Sequence, residues 1–284
     1  MRARLIGVST IALLACTVVS LGSKRASSQA DEGATALVRL KQAVERDASD
    51  PRARLELARA LLALRRFKEA DVHAQRAAAL APDDLAAFEL RCRLDIAMGR
   101  YAAILARCRP ALRTHPGNQP LRYASAMALY CFERYEEALE VLGPPSAEDS
   151  YDIAHMRTNT LLNLRRGPEA LAAVERELAI RDYDYPRLSR AEALLLVGRH
   201  DEAMLAARPY AYEALTGHAH SVMGYAARDA GDVKAAVEHM AQAVRYYESD
   251  ANHQRPGRRC GPDLVGRLRA EIARLRKKQK LRRV

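Results

Sequence analysis

The 284-residue sequence contains no tryptophan, only three phenylalanines, and 5% aromatic residues in all. Sheet sandwiches and barrels draw on aromatic and β-branched residues, so this shortage argues against an all-β core. The motifs that announce common chemistries are missing too. There is no G-x-x-x-x-G-K-[ST], no G-x-S-x-G, no H-E-x-x-H and no C-x-x-C, so the sequence marks no phosphate loop, serine nucleophile, zinc-protease helix or redox pair. His218-Ala219-His220 has a spacing that could grip a metal, but no acid or thiol stands at ligand spacing beside it. No catalytic residue, cofactor or metal is therefore expected, and the chain reads as a non-enzyme.

Alanine is what the sequence has in abundance, 54 residues of 284, within a hydrophobic fraction of 49% and a charged fraction of 29%. That much of the strongest helix former, with so few bulky rings, predicts helices packed at close range.

The net charge of +11 is unevenly spread. Residues 1–30 hold four bases and no acid, and residues 251–284 hold 12 bases against Asp263 and Glu271. Between them, residues 31–250 carry 30 bases and 33 acids, a net of −3. The body is thus nearly neutral, and the basicity belongs to the two ends.

Residues 5–22 are free of charge, preceded by Met-Arg-Ala-Arg and followed by Lys24-Arg25. This is a charged flank and an apolar core, the pattern of a secretory signal or signal anchor. As a helix it would span about 27 Å, at the margin of a hydrocarbon core of ~30 Å. Three fates are compatible with it: cleavage after Ala30, retention as an anchor, or lipidation at Cys16 behind Leu13-Leu14-Ala15. Export to the periplasmic or envelope side is the expectation, with 1–30 as the targeting segment.

A fixed period runs through the body. RRFKEADVHAQRAAALAPDD, GRYAAILARCRPALRTHPGN and GDVKAAVEHMAQAVRYYESD align without gaps. Extending their phase divides the chain into 51–84, 85–118, 119–150, 151–183, 184–216 and 217–250. Leu57, Ala58 and Leu61, then Phe67, Ala70, Ala74, Ala77 and Pro82, recur as Gly99, Tyr101, Ala111 and Pro116 in the second unit and as Tyr135 and Ala138 in the third. Leu161 with Ala170, Leu194 with Gly198 and Ala203, and Met223-Gly224 with Gly231, Ala236 and Ala243 continue the series. In these residues the chain resembles the tetratricopeptide repeat family. It departs from the family pattern in lacking the tryptophan, in Ser125 and Ile104 at two small or apolar positions, and in the missing closing prolines of units three to six.

The resemblance implies an all-α, right-handed superhelical solenoid of about six helix-turn-helix repeats. Residues 31–50 would supply an N-terminal half-repeat helix, at about 34–47. Residues 251–262 read as a turn-rich linker, and 263–284 as a basic C-terminal helix and tail. Asp263 is a suitable N-cap, and Leu264, Leu268, Ile272 and Leu275 form one apolar stripe for capping the array. Residues 276–284 have no such stripe and are expected to fray.

The resemblance also implies a partner site, because in this family the first helices line a concave groove that grips a polypeptide. Carried onto matching positions, the groove presents Arg52, Leu55 and Arg59, then Glu89, Arg93 and Ile96, then Tyr123, Met127 and Tyr130. Asp152, His155, Asn159 and Asn163 follow from unit four, and Tyr185, Glu192, Tyr225 and Arg228 from units five and six. His155, Asn159 and Asn163 are four residues apart and share one helix face; asparagine there can hydrogen-bond a ligand backbone. The Lys/Asn/Arg carboxylate clamp of heat-shock co-chaperones is not reproduced. Cys92 and Cys108 fall at packing positions, as buried thiols or as a pair in an oxidising compartment.

Two functions compete on this reading. The first is a protein-binding scaffold of the cell envelope whose basic tail meets an anionic membrane or envelope surface. The second is a cytoplasmic repeat adaptor whose tail contacts nucleic acid or the ribosome, with affinity that falls steeply with salt.

Overall fold

The computed structural model describes residues 35–212, 215–249 and 263–281. The expected targeting segment 1–30 with Cys16, the linker 251–262 and the last three residues of the tail lie outside the described residues. Every regular element among those described is a helix. Residues 35–46 form α1. Six helix pairs follow as α2 Pro51–Ala63, α3 Phe67–Leu80, α4 Leu85–Ala97, α5 Tyr101–Thr114, α6 Gln119–Cys131, α7 Tyr135–Leu142, α8 Tyr151–Asn163, α9 Gly167–Ile180, α10 Asp184–Leu196, α11 His200–Ala207, α12 Thr216–Asp229 and α13 Val233–Ser249. The last helix, α14, is Leu264–Leu281.

Local chemistry sets the helix starts. Asp50 accepts the Arg52 N–H at 2.8 Å ahead of Pro51, whose missing N–H is no loss in a first turn. Asp84 and Asn118 cap α4 and α6 in the same way, accepting the N–H groups of Ala86 and Leu121 at 2.9 Å each. Asp263 caps α14 by accepting the Gly266 N–H at 3.0 Å.

The turn inside each hairpin repeats one backbone conformation. Arg65, Gly99, Glu133, Arg165, Gly198 and Gly231 all have positive φ, between 58° and 85°. The next residue then donates its N–H five residues back, as in Arg66 to Leu61 O at 2.9 Å, Arg134 to Leu129 O at 2.9 Å and Arg199 to Leu194 O at 2.9 Å. This closes the first helix by the left-handed cap that leaves no orphan carbonyl in the turn. Helix crossings are equally regular. Ala58, Cys92, Ala126, Thr158 and Ala191 on first helices, and Ala70, Ala138, Ala170, Ala203 and Ala236 on second helices, are buried to within 1%. Gly224 takes the same register on α12, where an added Cβ would lie 2.7 Å from Met240 Cγ and 3.1 Å from its backbone nitrogen.

The described residues fall into two compact units, one ending at Leu94 and the other beginning at Asp95. In the first, α2 packs along α3, with Leu55, Leu57, Leu61, Ala70, Ala74 and Ala77 buried. Val44 of α1 is buried as well, and Lys41 lies close enough to influence the charges of Glu69 and His73 on α3.

In the second unit, consecutive helices pack pairwise from α5 to α14, and α6, α8, α10 and α12 also touch in succession. The core runs as clusters that end in Ala236, Met240, Val244 and Tyr247 packed with Leu268, Ile272 and Leu275 of α14. Asp95, with no exposed surface, is paired with Arg100 at 2.6 Å and Arg107 at 2.9 Å. Helix α7 is short because Gly143-Pro144-Pro145 ends it, and Arg157 of α8 fixes that bend by donating to Gly143 O at 2.6 Å. The expected fraying after residue 275 is overturned through 281, where α14 remains helical. Arg, Lys and Gln are good helix formers, and Lys278 and Lys280 sit in the last turn, where a positive charge complements the helix dipole.

Candidate functional site

The succession α6, α8, α10 and α12 builds a continuous surface in the second unit, and its polar centre is on α8. Asn159 Nδ2 lies 2.9 Å from His155 Nε2, and His155 Nδ1 lies 2.7 Å from Glu177 Oε1. With the amide nitrogen facing Nε2, His155 turns Nδ1 to the Glu177 carboxylate and donates to it. One turn further on, Asn163 Nδ2 donates to the Tyr130 hydroxyl at 2.7 Å and to Asn159 O at 2.9 Å. The three residues therefore form a ladder down one face of α8. Asn163 spends both amide hydrogens inside it and Asn159 spends one, and among the described residues neither Oδ1 accepts a hydrogen bond.

Aromatic rings extend this ladder across the helices. Tyr183 meets Tyr151 edge-on at 5.8 Å, Tyr151 stacks on His155 at 5.6 Å, His155 meets Tyr185 at 5.1 Å, and Tyr185 faces His218 at 6.0 Å. His218 Nε2 in turn lies 3.0 Å from Glu192 Oε2. Tyr185 keeps 39% of its surface accessible. Its hydroxyl is nevertheless pushed up to about 12, first by desolvation and then by the negative charge of Glu192. Tyr151 is likewise pushed up to about 12 by desolvation and by Glu177, and burial raises Tyr130 further.

The other sequence-selected positions divide. Tyr123, Met127 and Tyr130 of α6 are partly buried against Ala126, Leu129, Leu142, Ile153 and Met156, so they present edges rather than whole side chains. Tyr225 is covered by Arg228, whose guanidinium lies 4.9 Å from the ring centre. Arg228 is itself held by Asp229 at 2.5 Å and by Glu271 of α14 at 3.6 Å, so both residues serve the C-terminal contact. In the first unit Leu55 is buried, Arg59 pairs with Glu56 at 2.6 Å, and Arg52 and Arg93 are exposed. Those residues are not part of the ladder. His220 sits half-buried with Nδ1 3.0 Å from Nδ1 of His239. Cys92 and Cys108 are both buried thiols. Among the described residues no group of three or more His, Cys, Asp or Glu side chains is placed to hold a metal ion, and no helix is long and apolar enough to cross a membrane.

Glu177 is the site residue that sequence reasoning missed. It comes from α9, a second helix, at the repeat position where Ala77, Ala111 and Ala243 stand in other units. A carboxylate in an alanine register was the available signal.

Residues 29–94 match a sequence model described as tetratricopeptide repeat. No curated protein matches the chain. Among solved structures, a tetratricopeptide repeat protein from Parabacteroides merdae is 15% identical with a TM-score of 0.59, covering 87% of this chain and 96% of its own. PilW, a type IV pilus biogenesis factor, is 17% identical with a TM-score of 0.58, covering 72% and 96%. PilF of Pseudomonas aeruginosa is 18% identical with a TM-score of 0.57, covering 80% and 99%. Residues 29–94 thus carry a tetratricopeptide repeat sequence segment, and the chain has the fold of tetratricopeptide repeat structures.

Proposed function

We propose that this protein is a non-enzymatic scaffold of the cell envelope that holds an extended partner polypeptide across α6, α8, α10 and α12. The observation that carries the reading is the His155–Asn159–Asn163 ladder. Its members are fixed by Glu177 and Tyr130, so the open Oδ1 acceptors are pre-oriented and lose little freedom when they take N–H groups of a ligand backbone. Acceptors aimed at backbone N–H groups recognise chain conformation rather than side-chain sequence.

The envelope part of the proposal rests on the uncharged segment 5–22 between basic flanks. It is supported by a structure of similar fold whose own name concerns type IV pilus biogenesis. Fractionation with N-terminal sequencing of the mature protein tests it, since recovery of an unprocessed chain from the cytosol alone would overturn it.

For the groove, the test is Asn159→Ala with Asn163→Ala in the full chain. Loss of partner recovery from envelope extracts, with unchanged helicity by circular dichroism, is the expected outcome. Equal recovery by the variant and the parent protein would show that the ladder is not the contact surface.

A further inference from the structure

The sequence is rich in arginine, and a number of surface carboxylates hold one. Glu69, Glu137, Glu169 and Glu202 each hold the arginine three residues before them, and Asp182, Glu175 and Glu248 hold arginines from further away. Glu177 and Glu192 stand apart. Among the described residues neither has a lysine or arginine partner, and each faces an imidazole instead, His155 at 2.7 Å and His218 at 3.0 Å. Both histidines bracket the same ring, Tyr185.

The two carboxylates differ in position. Glu177 has no exposed surface, and its Oε2 lacks a hydrogen-bond partner. A buried, half-satisfied carboxylate is costly unless positive charge comes near it. Glu192 is accessible, with 39% of its side chain exposed. Between them lies an aromatic row, and π faces attract cations. The molecule already shows this attraction at one end of the row, where the Arg181 guanidinium lies 5.6 Å from the Tyr151 ring centre and 4.9 Å from that of Tyr183. Among the described residues no arginine or lysine occupies the equivalent place over Tyr185.

We infer that Tyr185, flanked by His155 and His218 and backed by Glu177 and Glu192, is a subsite for a basic side chain of the bound polypeptide. The inference rests on the proposal that the groove holds an extended chain, and it names the chemistry of that chain: a segment carrying arginine or lysine where it crosses α10. The guanidinium or ammonium lies over the Tyr185 ring and donates to Glu192, while Glu177 contributes buried negative charge from behind. The backbone on either side of that residue is then positioned to donate N–H groups to Asn159 and Asn163.

The test uses the full chain with ring-labelled tyrosine, followed by NMR, and two probes. One is the peptide acetyl-Gly-Ser-Arg-Ser-Gly-amide; the other has citrulline, which keeps the shape of arginine but not its charge. Tyr185→Phe assigns the Tyr185 signal. The arginine peptide is expected to shift that signal and to bind about tenfold or more tightly than the citrulline peptide. Glu192→Gln should remove the difference between the two peptides, and Tyr185→Leu, which leaves both carboxylates in place, should weaken the arginine peptide to the citrulline level. Equal binding of the two peptides at Tyr185 overturns the cation subsite and leaves the groove proposal standing. No shift with the arginine peptide also overturns it, and if partner recovery still depends on Asn159 and Asn163, the groove proposal survives alone. Binding of the arginine peptide with partner recovery insensitive to both asparagines would instead defeat the groove proposal and keep the subsite.

Discussion

The contact between His220 and His239 exists only while at least one ring is neutral, since one Nδ1–H must donate to the other Nδ1 across 3.0 Å. Burial lowers both histidines below the ordinary value of 6.5. His220 is lowered further by His239, whereas Glu238 and Asp232 partly oppose the effect on His239. A lowered value in the folded state means that the unfolded chain binds protons first as pH falls. The stability these residues provide is therefore fully present above about pH 6.5 and declines as the solution is acidified through and below that value. Melting curves between pH 7 and pH 5 should fall in temperature for the parent protein and fall less for His239→Gln; parallel curves would disprove the role of the pair. At this scale the sequence was informative where one helix carries the whole pattern. His155, Asn159 and Asn163 could be placed on a common face from their spacing alone. Glu177 could not, because its partner is 22 residues away on another helix, and no spacing rule links the two. The same holds for His239, which meets His220 only once the α12–α13 hairpin has closed.

At the scale of the element, the feature that sets the repeat is the left-handed residue closing each first helix. Three of the six such positions are glycine, and three are Arg65, Glu133 and Arg165, each at φ 58°. A side chain in that region costs about 1–2 kcal/mol, and glycine gives back part of the difference through the greater freedom of the unfolded chain. Arg65→Gly, Glu133→Gly and Arg165→Gly should each stabilise the fold by roughly 0.5–1 kcal/mol. Denaturant titrations would reveal this as a higher midpoint at unchanged slope; a lower midpoint in all three would mean that the turn is not under strain. The phase of the repeat was legible because Gly99, Gly198 and Gly231 mark it beside the recurring alanines. The lengths of individual helices were less so. Helix α7 stops after eight residues at a glycine and two prolines, while α14 runs on past its apolar stripe. The first depends on local backbone chemistry that the repeat period does not carry, and the second on helix propensity and end charges rather than on burial.

For the molecule as a whole, the charge distribution separates a nearly neutral body from a basic C-terminal segment. The region 31–250, at −3, contains the groove with its two imidazole-paired carboxylates, whereas 251–284 carries +10. Helix α14 joins these roles by burying Leu268, Ile272 and Leu275 on one side and leaving Arg269 and Arg274 exposed on the other, with side chains 63% and 69% accessible. Residues 276–284 add six more bases, Arg276, Lys277, Lys278, Lys280, Arg282 and Arg283. For an exported chain the expected acidic counterpart of such a stretch is an anionic membrane or envelope surface, and near anionic lipid headgroups each basic residue contributes up to about 1 kcal/mol. Deleting 276–284 should therefore abolish most of the binding to vesicles of phosphatidylcholine with one quarter phosphatidylglycerol. Binding by the parent protein should weaken as salt is raised, because the attraction is screened over roughly 10 Å at 0.1 M. The melting temperature should stay where it was, because the buried stripe of α14 lies wholly before residue 276. Undiminished vesicle binding would assign the membrane contact to another surface, and a drop in melting temperature would make the tail a structural cap instead. If the parent protein ignored vesicles but bound RNA with a steep salt dependence, the same basic helix would belong to a cytoplasmic adaptor, and the envelope assignment of the whole chain would have to be withdrawn.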